Sequence, residues 1–342
     1  MKIGTIEGLR GFAALAVTWF HLTNSYSWDL VRWSGTYGWL GVDCFFVISG
    51  FVIPYSLHGR GYTLKQFPRF LFKRLVRLEP PYLASVALVL VLLFLSSQAP
   101  GFKGADPVYD PIQIVAHFFY LIPLTSYGWL NVVYWTLAYE FAFYIIVGLT
   151  FAVLWPRPIY WTLGLTAVAV GLMWLVTQDI DSRIILFVVG IATMRHYVQR
   201  DQAHVFWPVL AGCGLAMLAA GDVGTALVGV ATAVVIAGVQ IPTLPALTWL
   251  GSISYSLYLI HVPVGGRIVN LGSRFGGGLL YEAALSLTAL LVSILFAWGF
   301  SLAFERAAMR LSQRIRLGGE TPPPDAAAAA WPTTPSGSNT GP

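Results

Sequence analysis

Long apolar stretches separated by short polar ones run the length of the chain, and their lengths predict membrane-spanning helices. A spanning helix needs about 20 apolar residues. Ten such segments are expected, at 6–26, 38–57, 81–97, 132–154, 158–176, 183–199, 205–220, 223–240, 247–264 and 279–304. No internal repeat at a fixed period is visible. The stretch 112–127 is apolar too, but it is short and carries His117 and Pro123.

Basic residues settle how that stretch is read. If 112–127 does not span, the N-terminal side collects Lys2, Arg60, Lys65, Arg69, Lys73, Arg74, Arg77, Arg157, Arg195, Arg200, Arg306, Arg310, Arg314 and Arg316. The opposite side keeps only Arg32, Lys103, Arg183, Arg267 and Arg274. Short cytoplasmic loops are the ones enriched in Lys and Arg, so both termini are expected in the cytoplasm. A spanning 112–127 would reverse everything after it, so it is read as a re-entrant or interfacial segment on the outer side. The fold class expected is all-α, a polytopic membrane protein of about ten transmembrane helices.

Composition agrees with that pattern. Of 342 residues, 57% are hydrophobic and only 10% charged, and mean hydropathy is +0.70. Soluble domains carry roughly a quarter charged residues, and a soluble chain of this length could not cover its surface. Lys2, Glu7 and Arg10 precede an apolar run without a small-residue cleavage site, which does not read as a removable signal. Cys44 and Cys213 both lie in apolar runs and suggest neither disulfide nor metal. The net charge of +5 fits membrane orientation, and no basic–aromatic interleaving suggests a nucleic-acid groove. Residues 318–342, rich in Pro, Ala, Ser, Thr and Gly, are expected to be a disordered cytoplasmic tail after a membrane domain at 1–317.

Ionisable groups inside an apolar bundle are costly and mark candidate sites. Here they are Glu7, Arg10, His21, Asp43, Glu140 and His261. Arg10 and His21 are eleven residues apart, near three turns, so they share a face roughly 16 Å apart along the axis. That spacing suits a long thin substrate with an anionic end near Arg10 and its reacting end near His21. Arg10 snorkelling to lipid headgroups, with His21 as an interhelix hydrogen-bonder, fits equally. His21 is the best candidate general base, and Glu140 could orient it or serve as a structural partner of Arg10. Asp43, near a helix start, reads as structural or catalytic, and His261 reads as structural. In FPRFLFKRLVRLEPPY, Arg69, Lys73 and Arg77 recur every fourth residue with Arg74 beside them. This is an amphipathic interfacial helix, starting at Pro68 and stopping at Pro80–Pro81. It either rests on anionic lipid or also receives the phosphates of a nucleotide carrier.

Taken together, LRGFAALAVTWFH, GVDCFFVISGF, FKRLVRLEPPY, YWTLAYEFAFY and ISYSLYLIH resemble the acyltransferase-3 family of integral membrane O-acyltransferases. The resemblance covers residues 5–310 with the motifs in order. It implies a ten-helix domain taking acyl groups from cytoplasmic acyl-CoA, with acetyl-CoA the expected donor and no metal. It makes Arg10 and His21 the essential pair and carries importance to Asp43, Arg74, Arg77 and Glu140. Arg10, Arg74, Arg77, Arg69 and Lys73 would serve the CoA side. Implied acceptors are hydroxyls of a cell-envelope carbohydrate or glycolipid, and the implied location is the bacterial inner membrane. Some relatives carry a fused extracytoplasmic hydrolase-like domain, so a separate extracytoplasmic partner protein is a further expectation. Two other readings stay open: O-acylation of a small cytoplasmic metabolite, and a transporter whose intramembrane charges line a path.

Overall fold

In a computed structural model, the chain is described over residues 3–26, 29–98, 110–177, 181–198, 203–238 and 244–317. The expected tail at 318–342 lies outside these residues. Among the described residues every regular element is helical. The hydropathy pattern placed most elements within a few residues: α1 at Ile3–Thr23, α3 at Gly41–Leu57, α6 at Trp135–Leu154, α7 at Tyr160–Thr177, α8 at Ile184–Val198, α9 at Ala203–Ala219 and α10 at Val223–Ala237. A short α2 at Asp29–Gly35 precedes α3.

Among the described residues, four helical stretches are long and apolar enough to cross a membrane: Asp29–Leu57, Leu64–Ser97, Trp135–Leu154 and Leu279–Arg314. Four more apolar helices are shorter, from 10 to 17 residues. Large apolar side chains such as Leu227, Leu291 and Leu295 face outward uncovered, as lipid-facing positions do. These are the properties of a membrane protein.

Three elements depart from the pattern. The proline pair does not stop the fourth helix: α4 runs unbroken over Phe67–Ser97 with Pro80 and Pro81 inside it. Pro80 and Pro81 leave the carbonyls of Val76 and Arg77 without their helical N–H donors, and beside this gap residue Tyr255 anchors the helix, its hydroxyl donating to the Leu78 carbonyl at 3.0 Å. The expected helix 247–264 is instead α11 at Pro245–Ser252 and α12 at Ser254–His261, followed by a π-helical turn at Val262–Gly266 and α13 at Arg267–Gly272. The last expected helix continues past its boundary, as α14 at Leu279–Phe300, a π-helical turn at Ser301–Glu305 and α15 at Arg306–Arg314.

Within 112–127 the chain forms α5 at Pro111–Phe118 and a 3₁₀ turn at Ile122–Leu124. Eight residues reach only about 12 Å, well short of a hydrocarbon core near 30 Å. Asp110 caps α5 by accepting from the Ile112 N–H at 2.8 Å. Tyr120, at φ 56°, turns the chain back.

Close helix crossings hold the bundle together. A Cβ on Gly11 would lie 2.1 Å from the Leu247 carbonyl oxygen, and one on Gly251 would lie 2.0 Å from that of Glu7. Only glycine allows α1 and α11 this approach. Gly50 and Gly190 make the same reciprocal contact between α3 and α8, the small-residue packing expected of helices in lipid.

Candidate active site

Seven elements, α12 and α15 among them, line one cavity of about 110 Å³. Arg10 enters it from α1, Ser49 from α3, Arg74 and Arg77 from α4, Glu140 and Tyr144 from α6, and Glu305 from the π-helical turn after α14. At roughly 10–15 Å³ per water, the space holds several waters or a small anionic group. Each side chain arrives because its own helix packs an apolar face elsewhere. Arg74, for example, is carried inward beside the buried Phe70, and its guanidinium sits 5.5 Å from the Phe70 ring and 5.6 Å from that of Tyr144.

The carboxylates are fixed by neutral donors. Glu140 accepts from Ser49 Oγ at 3.2 Å and from the Tyr144 hydroxyl. Glu305 accepts from the Ser256 backbone N–H at 3.2 Å and from its hydroxyl at 2.5 Å. Arg74 donates to Ser56 Oγ at 2.6 Å. Glu7, Glu140 and Glu305 all lie within electrostatic range of Arg10. Three guanidiniums therefore face two cavity carboxylates in a space with room left over, an arrangement that suits an anion.

His21 is not among the residues lining this cavity. It stands roughly 16 Å further along α1, with its ring centroid 5.2 Å from that of His261. Tyr258 touches both places: it lines the cavity, and its ring lies 6.0 Å from His261.

A family model described as an acyltransferase domain, Acyl_transf_3, matches residues 3–298. The chain belongs to this acyltransferase family. It is similar to O-acetyltransferase OatA of Staphylococcus aureus, 26% identical over 232 residues, which are 62% of this chain and 34% of that protein. It is also similar to acyltransferase MdmB of Streptomyces mycarofaciens, 26% identical over 167 residues, 46% of this chain and 42% of that one. The matched region is thus about a third of OatA and under half of MdmB. No solved structure gives a significant match.

Within this acyltransferase the sequence-predicted residues separate into distinct places. Arg10, Arg74, Arg77 and Glu140 meet in the cavity. The expected partnership of Glu140 with His21 is absent, because α6 packs on α3 and α4 and the imidazole faces α12. Asp43 is wholly buried and spends its oxygens on Arg183 Nε at 3.2 Å and Thr225 Oγ1 at 2.8 Å. Arg69 and Lys73 donate to the carbonyls of Arg316 and Ile315 at 3.5 and 2.9 Å, tying α4 to the segment after α15. Among the described residues no cluster of His, Cys, Asp or Glu could hold a metal.

Glu305 lies one residue beyond the apolar run 279–304, so hydropathy leaves it outside the bundle. The signal was present, since a carboxylate directly follows that run. His261 was seen, but the approach of His21 is invisible in sequence.

Proposed function

We propose that this acyltransferase moves an acyl group, acetyl in the simplest case, from acyl-CoA to a hydroxyl of a cell-envelope carbohydrate or glycolipid. The observation that carries the reading is the convergence of Arg10, Arg74 and Arg77 on one cavity within the bundle, with Glu140 and Glu305 opposite. Three guanidiniums are suited to the phosphates of CoA, and the pantetheine arm would run along α1 towards His21. There His21 takes the acceptor's hydroxyl proton as the oxygen attacks the thioester carbonyl, and the thiolate of CoA leaves and is protonated in turn. The relatives named as an O-acetyltransferase and an acyltransferase support the same class of chemistry.

The arrangement in the cell follows the charge pattern of the loops: about ten spans in a bacterial inner membrane, with both termini cytoplasmic. Broken helices, short spans and glycine crossings are compatible with that count, since neighbouring helices complete short ones. A separate extracytoplasmic protein would complete the transfer where the acceptor lies outside.

Turnover by detergent-purified protein tests the reading. Supplied with acetyl-CoA and a crude envelope extract, wild type should release free thiol and label the extract. Arg10→Ala and His21→Ala should each lower the rate about 1000-fold, as loss of an essential catalytic group does. Thiol release unchanged in Arg10→Ala, or labelling that survives in His21→Ala, would remove that residue from the chemistry. Labelling of a soluble metabolite would point to the cytoplasmic acceptor, and uptake into sealed vesicles reconstituted with the protein, without thiol release, would favour transport.

A further inference from the structure

His261 holds an unusual position. It is fully buried at the end of α12, and its Nδ1 lies 3.0 Å from the Leu257 carbonyl oxygen. A carbonyl can only accept, so Nδ1 carries the proton and Nε2 of the neutral ring is an acceptor. That Nε2 is buried and has no partner. An unpaired buried acceptor is unfavourable, and its persistence calls for an explanation. The ring facing it is His21, 5.2 Å away between centroids and inclined at 47°.

The backbone around the pair keeps it close. α12 passes into the π-helical turn Val262–Gly266 immediately after His261. A Cβ on Gly265 would lie 2.4 Å from Ser293 Oγ and 2.8 Å from Leu22 Cδ2, so this turn is pressed between α14 and α1 one residue past His21. Single π-helical turns inside helices concentrate at functional sites.

We propose that His261 is a positioning residue for His21. Its Nε2 receives the single N–H of the neutral His21 imidazole, which fixes that tautomer and leaves the other His21 nitrogen as the free base. No hydrogen bond joins the rings in this structure, but their separation lets a modest turn of His21 bring nitrogen to nitrogen at roughly 3 Å, normal hydrogen-bond range. The assignment rests on the reading of His21 as the base above, and it supplies the orienting acceptor that Glu140 is not placed to give. A base needs such a third group to hold its proton on the correct nitrogen.

Two measurements on the full chain in detergent test this, one of them independent of activity. In protein labelled with ¹⁵N-histidine, His21 should show one ring nitrogen as a hydrogen-bonded donor, assigned by its loss in His21→Ala, and the signature should disappear in His261→Phe. In turnover with acetyl-CoA and envelope extract, His261→Phe should lower kcat about 100-fold with the KM for acetyl-CoA within about twofold. His261→Gln, whose amide oxygen can take the place of Nε2, should recover part of the rate. Turnover is counted per folded molecule, because His261→Phe also loses the Nδ1–H bond to the Leu257 carbonyl and a buried hydrogen bond lost costs some stability. The double variant His21→Ala/His261→Phe should be no slower than His21→Ala alone.

Absence of the hydrogen-bonded signature overturns the proposal whatever the turnover. So does a kcat unchanged in His261→Phe, a fall in Tm that accounts for the lost rate, or losses that add in the double variant. If wild type turns over nothing while the signature is present, the pairing stands and the acyl-CoA reading fails.

Discussion

Two of the groups of charges buried in this bundle are finished differently. Asp43 and Arg183 form a closed set. Both Asp43 oxygens are used, and the Arg183 guanidinium lies 5.5 Å from the rings of both Trp39 and Trp135. The Arg10–Arg74–Arg77 group is open: its carboxylates are held by serine and tyrosine hydroxyls, and about 110 Å³ of space remains. The contrast teaches that a charge in an apolar bundle marks a site only when its neighbours leave it incomplete. A satisfied pair contributes rigidity, and losing one partner strands the other.

The largest effect expected is on the closed pair. Asp43→Ala should destabilise the protein by about 2–3 kcal/mol, below the usual cost of breaking an isolated buried ion pair, because Arg183 keeps 30% exposure and a second carboxylate, Asp181, at 3.5 Å. Thermal or denaturant unfolding measures this, while turnover per folded molecule should stay within about twofold of wild type. A stable Asp43→Ala protein without activity would break the comparison and return Asp43 to the catalytic set.

The open group should respond in the opposite sense. Arg74→Ala should lower kcat/KM for acyl-CoA about 10- to 100-fold, the worth of one or two charge-assisted hydrogen bonds to an anion. Its thermal midpoint should hold, since Glu140 keeps Ser49 and Tyr144. Steady-state kinetics beside a melting curve decides it, and an Arg74→Ala protein that unfolds like Asp43→Ala would make the cavity a structural network.

An exposed acid sharpens the contrast at its weak end. The Tyr127 hydroxyl, and then the Ile112 N–H, hold the Asp110 carboxyl below its ordinary range. A carboxylate with a depressed folded pKa adds stability above its unfolded value, near 4, and loses it as pH falls through the folded one. Amide exchange at Ile112 should therefore be faster in Asp110→Asn than in wild type at pH 7, and the difference should shrink below about pH 4. Being solvent-exposed, this contact should be the smallest of the three effects. A difference that does not change anywhere between about pH 5 and pH 1 would mean that the cap works without the charge.

Much of the fold was legible in the residues. The boundaries of α1, α6 and α8 follow hydropathy closely, because a helix surrounded by lipid must satisfy its own backbone and announce itself locally. The failures occurred where neighbours intervened. Pro80–Pro81 obey the local rule for a stop, yet α4 continues with Tyr255 covering a nearby carbonyl. The run at 247–264 reads as one helix, yet it is divided at Ile253, and at Gly251 the α11 backbone lies against that of α1. In the candidate site, Arg10 and Glu140 stood out as charges in apolar runs, and Arg74 and Arg77 as members of a basic amphipathic segment. Glu305 did not, and the approach of His261 to His21 is a tertiary contact that no local pattern shows.

Hydropathy alone determined that this is a helical membrane protein and that Arg10 and Glu140 lie in apolar runs, because hydropathy is a local property; that it is an acyltransferase rested on the resemblance of its motifs to that family. Which charges meet was decided only in three dimensions. Asp43 and Arg183 are 140 residues apart, Ser49 and Glu140 are 91, and Ser256 and Glu305 are 49. Those pairings depend on the order and rotation of whole helices, set by apolar packing and by glycine crossings such as Gly11 with Gly251. A one-residue rotation of a helix turns a side chain by about 100° and would exchange one partner for another without altering any local pattern.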